Sequence, residues 1–328
     1  MRNKIDKSEI YAGTYYSQDS LGVYHLILNE ETGEMSKPEL CYEAPNAKWV
    51  SLLGDRMAVP VERAGASGTC FLELEKGRPK LLGEILEEKQ TPCYILQDED
   101  GIYTANYHEG TVMAYKFKDG KPFVIKRIEN GEEAGCHQIL RHGSDLLVPC
   151  LTRDRIRFFD IEQGYVPSGE LVFPEGTGPR HGVFNHDHSR FYVTSEWSNE
   201  LFAYQVQGRE FRLVQALSVL PDDRGKREAA CAAIRMTADE RFLYISIRGL
   251  DLLAVVDISQ EQAKIVQHAS CYGIHPRDCI LSRNEKFLLA INRYAGGIVS
   301  IRRDEKDGKL REKAGQAILP QGVSLVLK

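Results

Sequence analysis

The sequence predicts an all-β chain folded as a seven-bladed β-propeller, on three observations. Short runs rich in β-branched and aromatic residues recur between polar turns, and no long window carries helical spacing. The runs return at a near-constant interval. With starts at 10, 56, 102, 146, 191, 243 and 288, the steps are 46, 46, 44, 45, 52 and 45 residues. A period near 45 with several strands per repeat is the signature of propeller blades. Third, the ends do not fit the repeat. Only nine residues precede the first run, whereas LPQGVSLVLK at 319–328 is a strand without a repeat of its own. That tail is expected to supply the inner strand of blade 1 and close the ring, so that no sheet edge is left between the first and last blades. Residues 1–328 then form one domain.

Each blade is read as strands A to D, from the channel outwards. The recurring runs are strand B: IYAGTY (10–15), MAVPV (57–61), IYTANY (102–107), LLVPCL (146–151), FYVTSE (191–196), LYISIR (243–248) and LLAINR (288–293). Polar turns such as QDEDG (97–101), RHGSD (141–145) and SRNEK (282–286) precede them, each behind a short apolar strand A. Strand C follows, as in GTVMAY (110–115), RIRFF (155–159) and GIVSI (297–301). An outer strand D is expected at 121–127 and 212–219.

The totals narrow the function. A net charge of -5 and a pI near 6.0 argue against a nucleic-acid footprint, which needs a basic face. Residues 1–10, MRNKIDKSEI, hold no signal-peptide core, and no apolar run approaches membrane-spanning length. The eight cysteines are scattered without a CxxC pair, which reads as reduced, mostly buried thiols in a cytoplasmic protein. No membrane partner is expected, and the oligomeric state is left open.

Strands A and B run antiparallel, so the start of A and the end of B meet at one mouth of the channel. The A starts carry His137, Arg180 with His181, and Arg277 with Asp278. The B ends carry Asn106, Tyr107, Glu196, Arg248 and Arg293. Most come from four consecutive blades and can converge on one pocket. Ionisable groups at inward strand ends are costly unless paired or used, which makes them a candidate site. Ion pairs that pin blades together are the competing reading for Arg180, Glu196 and Arg248. The first two blades offer Thr14, Tyr15, Lys48, Trp49 and Val61 at this mouth, which read as a wall. Arg155, in a B–C turn near the mouth, could help hold an anion. His186, Asp187 and His188 look like metal ligands but fall in an A–B turn on the opposite face. No metal and no cofactor is therefore expected. Cys136 beside His137 points away from the channel and reads as core.

GPRHGVF with RFYVTSE, TPCYI with ANYHEGTV, CHQI with TRDRI, and HPRDCILSRNEKFLLAINR resemble the lactonase-type seven-bladed propellers, which include bacterial 6-phosphogluconolactonases and fungal carboxymuconate-lactonizing enzymes. The resemblance covers nearly the whole chain. It implies that His137, Arg180, Glu196 and Arg248 are the catalytic set, and that a small anionic lactone is the substrate. On that basis Glu196 is expected to act as base and His137 as acid. Arg180 or Arg248 would hold the oxyanion. Arg277, Arg293 and His181 would hold a phosphate or carboxylate, with Asn106, Tyr107 and Arg155 as further contacts. Two alternatives stay open: a cycloisomerase or lyase on a carboxymuconate-like acid, and a non-catalytic interaction scaffold.

Overall fold

The computed structural model describes residues 6–222 and 227–328. They form seven four-stranded antiparallel sheets, each in the order A-B-C-D, arranged as a propeller. The predicted B strands are all present, from Lys7–Thr14 in blade 1 to Phe287–Ala295 in blade 7. Their composition follows from their place. Strand B packs between its sheet partners and the neighbouring blades, so Asp145–Cys150 and Phe242–Arg248 are buried along their whole length. The outer strands alternate instead, as in Lys121–Glu129, where only one residue is fully buried. The core is accordingly a series of apolar layers between blades. One of them joins Leu201, Cys231, Ile245 and Ala254 of blades 5 and 6.

The tail closes the ring as expected. Gly322–Leu327 is strand A of blade 1, with Ile10 opposite Leu327 and Ala12 opposite Leu325. Strand A of each blade has an inner edge whose backbone groups no fifth strand can satisfy. Side chains satisfy part of that demand, and they link each A segment to the next. Between blades 1 and 2, Ser324 Oγ accepts the Val50 N–H at 3.1 Å. Trp49 Nε1 then donates to the Ile95 carbonyl, and the Cys93 thiol to that of Cys136. Gln138 brackets the Gly182 backbone, donating to its carbonyl and accepting its N–H. Arg180 donates to the Ala232 carbonyl at 2.6 Å, Arg235 pairs with Asp278, and Asp278 accepts the Leu325 N–H. Arg180 is thus part of the frame as well as of the mouth.

Candidate active site

The mouth is built by a device repeated in three consecutive blades. Asp154, Asn199 and Asp251 sit in the B–C turns of blades 4, 5 and 6 with φ of 49°, 56° and 57°. Asn and Asp tolerate this left-handed geometry, which turns their side chains towards the next blade. Asp154 accepts the N–H groups of Gly176 and Gly178 at 2.8 and 2.7 Å, just ahead of Pro179 and Arg180. Asn199 donates to the Ala229 carbonyl and accepts the Cys231 N–H. Asp251 accepts the His275 N–H at 2.7 Å, ahead of Pro276 and Arg277. Each clamp fixes the entry of a strand A that delivers a mouth residue or a carbonyl holding one.

Arg180 and Glu196 meet across blade 5. Arg180 Nε lies 2.8 Å from Glu196 Oε2, and Arg248 of blade 6 reaches the same oxygen at 2.8 Å. Arg248 also donates to the carbonyls of Ala230 and Cys231. Glu196 Oε1, Arg180 Nη2 and Arg248 Nη1 carry no hydrogen bond among the described residues. A fixed carboxylate therefore aims two arginine forks, each with N–H groups left to give. Burial raises the Glu196 pKa, but Arg248 and Arg180 outweigh it and hold the group below the ordinary carboxylate value. Burial, with Arg248 alongside, lowers Arg180 to about 9, so it remains a cation at neutral pH. The ion pairs expected as the competing reading are present: Arg180–Glu196 lies within blade 5, and Arg248–Glu196 joins blades 5 and 6.

His137 stands beside this trio, buried, with Nδ1 unpartnered among the described residues. Burial and then the fields of Arg180 and Arg277 push its pKa well below the usual imidazole value, so the ring is neutral. Tyr107 packs edge-on at 5.8 Å, and His181 lies 5.1 Å away, one step deeper along its strand. Both His181 nitrogens lack partners among the described residues, and Trp49 and Tyr94 flank its ring at 5.9 and 5.7 Å. His181 is thus a wall of the channel beneath the mouth.

The rest of the mouth has a different character. Arg277 donates to the Tyr15 hydroxyl at 3.1 Å, while Arg293 lies 4.3 Å over the Tyr15 ring and Lys48 6.0 Å from it. No carboxylate of the described residues pairs with Lys48, Arg277 or Arg293. The mouth therefore gathers two arginines paired with Glu196 and three cations grouped on Tyr15. Burial raises the Tyr15 pKa, but Arg277, Lys48 and Arg293 together take it below the ordinary phenol value. Tyr15 and Lys48, expected as wall, stand within this cationic half. His275 joins it, half-buried against Tyr294 at 4.9 Å.

Two expected contacts are placed elsewhere. The Asn106 amide is consumed by Glu88, the Gln90 carbonyl and Glu109, which makes it a buried strut of blade 3. Arg155 pairs with Glu170 at 3.1 Å along its own blade and does not join the cluster. His186 lies in its turn with Glu240, and Cys136 is fully buried, both as the repeat implied. Among the described residues, no three His, Cys, Asp or Glu side chains gather as metal ligands. None of the described helices is long and apolar enough to cross a membrane. Repeat position could have revealed His275, because HPR at 275–277 repeats GPR at 178–180.

Comparison with known proteins agrees with this architecture. The 6-phosphogluconolactonase of Bacillus subtilis strain 168 is 29% identical over 338 residues, covering 96% of this chain and 95% of that protein. A crystal structure of a Lactobacillus plantarum protein superposes with a TM-score of 0.90 at 24% identity, covering 98% of this chain and 99% of the other. The periplasmic gluconolactonase of Pseudomonas aeruginosa does so at 0.89 and 20% identity, covering 98% and 99%. At such identities the structural likeness bears on fold alone. The family model of the seven-bladed β-propeller lactonases matches residues 9–327, and the chain belongs to that family.

Proposed function

We propose that the mouth hydrolyses a sugar lactone bearing an anionic group, with 6-phosphogluconolactone the leading candidate. The observation that carries this reading is the pairing of an Arg180–Glu196–Arg248 trio with a second set of cations that has no counter-ion among the described residues. The uncompensated set of Lys48, Arg277 and Arg293 suits a phosphate or carboxylate. The trio suits the oxyanion, to which Arg180 Nη2 and Arg248 Nη1 can donate.

His137 is the better proton carrier. It is already neutral, and an arriving anion adds the negative charge that its surroundings lack, which raises its basicity when substrate is bound. Glu196 is held below its ordinary pKa by two guanidiniums and serves mainly to aim them. This reverses the order expected from the sequence. Water adds to the lactone carbonyl as His137 takes its proton. The carbonyl carbon–ring oxygen bond then breaks, and the same proton goes to the departing ring oxygen. The products are a hydroxyl and a carboxylic acid, which ionises. No second acid and no cofactor is needed for this balance. The name of the B. subtilis relative supports the phosphorylated substrate, and unpaired thiols fit a reducing compartment such as the cytoplasm.

The test is acid release at constant pH from 6-phosphogluconolactone, glucono-δ-lactone and a carboxylated muconolactone. The phosphorylated lactone should give the highest kcat/KM. Acid release from none of the three would overturn the reading.

A further inference from the structure

Blades 5 and 7 begin in the same backbone frame, but one of them carries a side chain that the frame does not need. Pro179 and Arg180 follow Gly178 at φ +63°, and Pro276 and Arg277 follow His275 at φ +65°. The N–H of Gly178 donates to Asp154 Oδ1 at 2.7 Å, and that of His275 to Asp251 Oδ1 at the same distance. In blade 5 the position suits glycine, since a Cβ there would come within 2.9 Å of the Trp197 ring. In blade 7 an imidazole occupies it. Left-handed backbone is unfavourable for a side-chain-bearing residue, and a following proline disfavours helical backbone further. Strain of this kind costs about 1–3 kcal/mol and gathers at functional sites.

The ring lies where it could be used. It packs on Tyr294 at 4.9 Å; its Nδ1 is shielded, and Nε2, which makes no hydrogen bond among the described residues, is the nitrogen left to meet a ligand. Burial and the nearby Arg277, Arg248 and Arg293 hold its pKa down to about 4. At neutral pH it is an uncharged group with one donor and one acceptor, set among cations that have only donors to offer.

We propose that His275 is a further substrate-contacting residue, which hydrogen-bonds the hydroxylated, anion-bearing arm of the substrate beside Arg277, with Asp251 as its positioning residue. This rests on the lactone reading of the mouth. His275→Gly relaxes the backbone and removes the ring. The variant should melt at the wild-type temperature or above it, while KM for 6-phosphogluconolactone rises about tenfold, the worth of one hydrogen bond. His275→Asn, which accepts the same backbone and keeps polar atoms, should recover part of the loss. Unchanged KM in His275→Gly would overturn the proposal, as would a fall in melting temperature that accounts for the lost activity. A second arm needs no turnover: calorimetric titration of 6-phosphogluconate into wild type and His275→Gly. If wild type hydrolyses no lactone yet the variant binds 6-phosphogluconate about tenfold more weakly, the lactonase reading fails and the His275 contact stands. If wild type turns over and neither KM nor binding changes in the variant, the contact fails and the lactonase reading stands.

Discussion

The two halves of the mouth hold their arginines in opposite ways. Arg180 and Arg248 are buried, share Glu196 Oε2, and donate to backbone carbonyls of blade 6. Arg277 and Arg293 lean on the Tyr15 hydroxyl and ring, with no carboxylate of the described residues to balance them. The first arrangement is complete in the free protein, because buried guanidiniums need their counter-ion and acceptors. The second is balanced only when an anion arrives. On the proposed function, charge at one mouth serves two ends: the paired half sets geometry, and the unpaired half takes the anion of the substrate.

The largest effect should come from breaking the paired half. Glu196→Gln leaves two buried guanidiniums uncompensated and should cost about 3–5 kcal/mol in chemical denaturation, besides most of the activity. Loss of activity with full stability would show that the trio is no structural unit. Next, His137→Gln keeps polar atoms but removes the proton carrier. It should lower kcat by about 10²–10⁴ with little change in KM or melting temperature. A wild-type kcat would return the base role to Glu196. The smallest change to the fold should come from the unpaired half. Arg277→Ala should leave stability within about 1 kcal/mol, since no ion pair is lost. It should raise KM for a phosphorylated lactone about tenfold or more and barely alter it for the unphosphorylated one. Equal losses on both lactones would erase the distinction between the halves.

Repeat spacing was enough to place every strand B, the closing tail and the mouth. It also assigned His186 to a turn and Cys136 to the core, because those assignments depend only on position along a strand. What spacing could not supply is reach across the channel. Tyr15 and Arg277 are 262 residues apart in sequence, and nothing local to Tyr15 signals a cation over its ring. Asn106 stands one residue before Tyr107, the match of Glu196 in its repeat, and Glu88 and Glu109 turn its amide into a strut. Arg155 finds Glu170 on its own blade. The clamps made by Asp154 and Asp251 are not legible in the sequence, since a left-handed φ leaves no mark beyond the residue type. His275 was legible only by aligning its repeat with Gly178, since a residue before proline is usually extended.

The closing strand has a consequence for how activity reports on folding. Gln321, at its entry, accepts the Tyr15 N–H on its carbonyl and the Arg293 Nε–H on its side chain, at 3.0 Å in each case. The unpaired half of the mouth is therefore assembled from opposite ends of the chain, across contacts of the highest sequence separation. Such contacts form late, after the intervening blades have shortened the loop to be closed. A molecule with six sound blades and an open seam would keep most of its far-ultraviolet signal and its Arg180–Glu196 pair, but it could not grip substrate. Recovery of substrate affinity during refolding should lag behind recovery of sheet content, which makes turnover a gauge of ring closure.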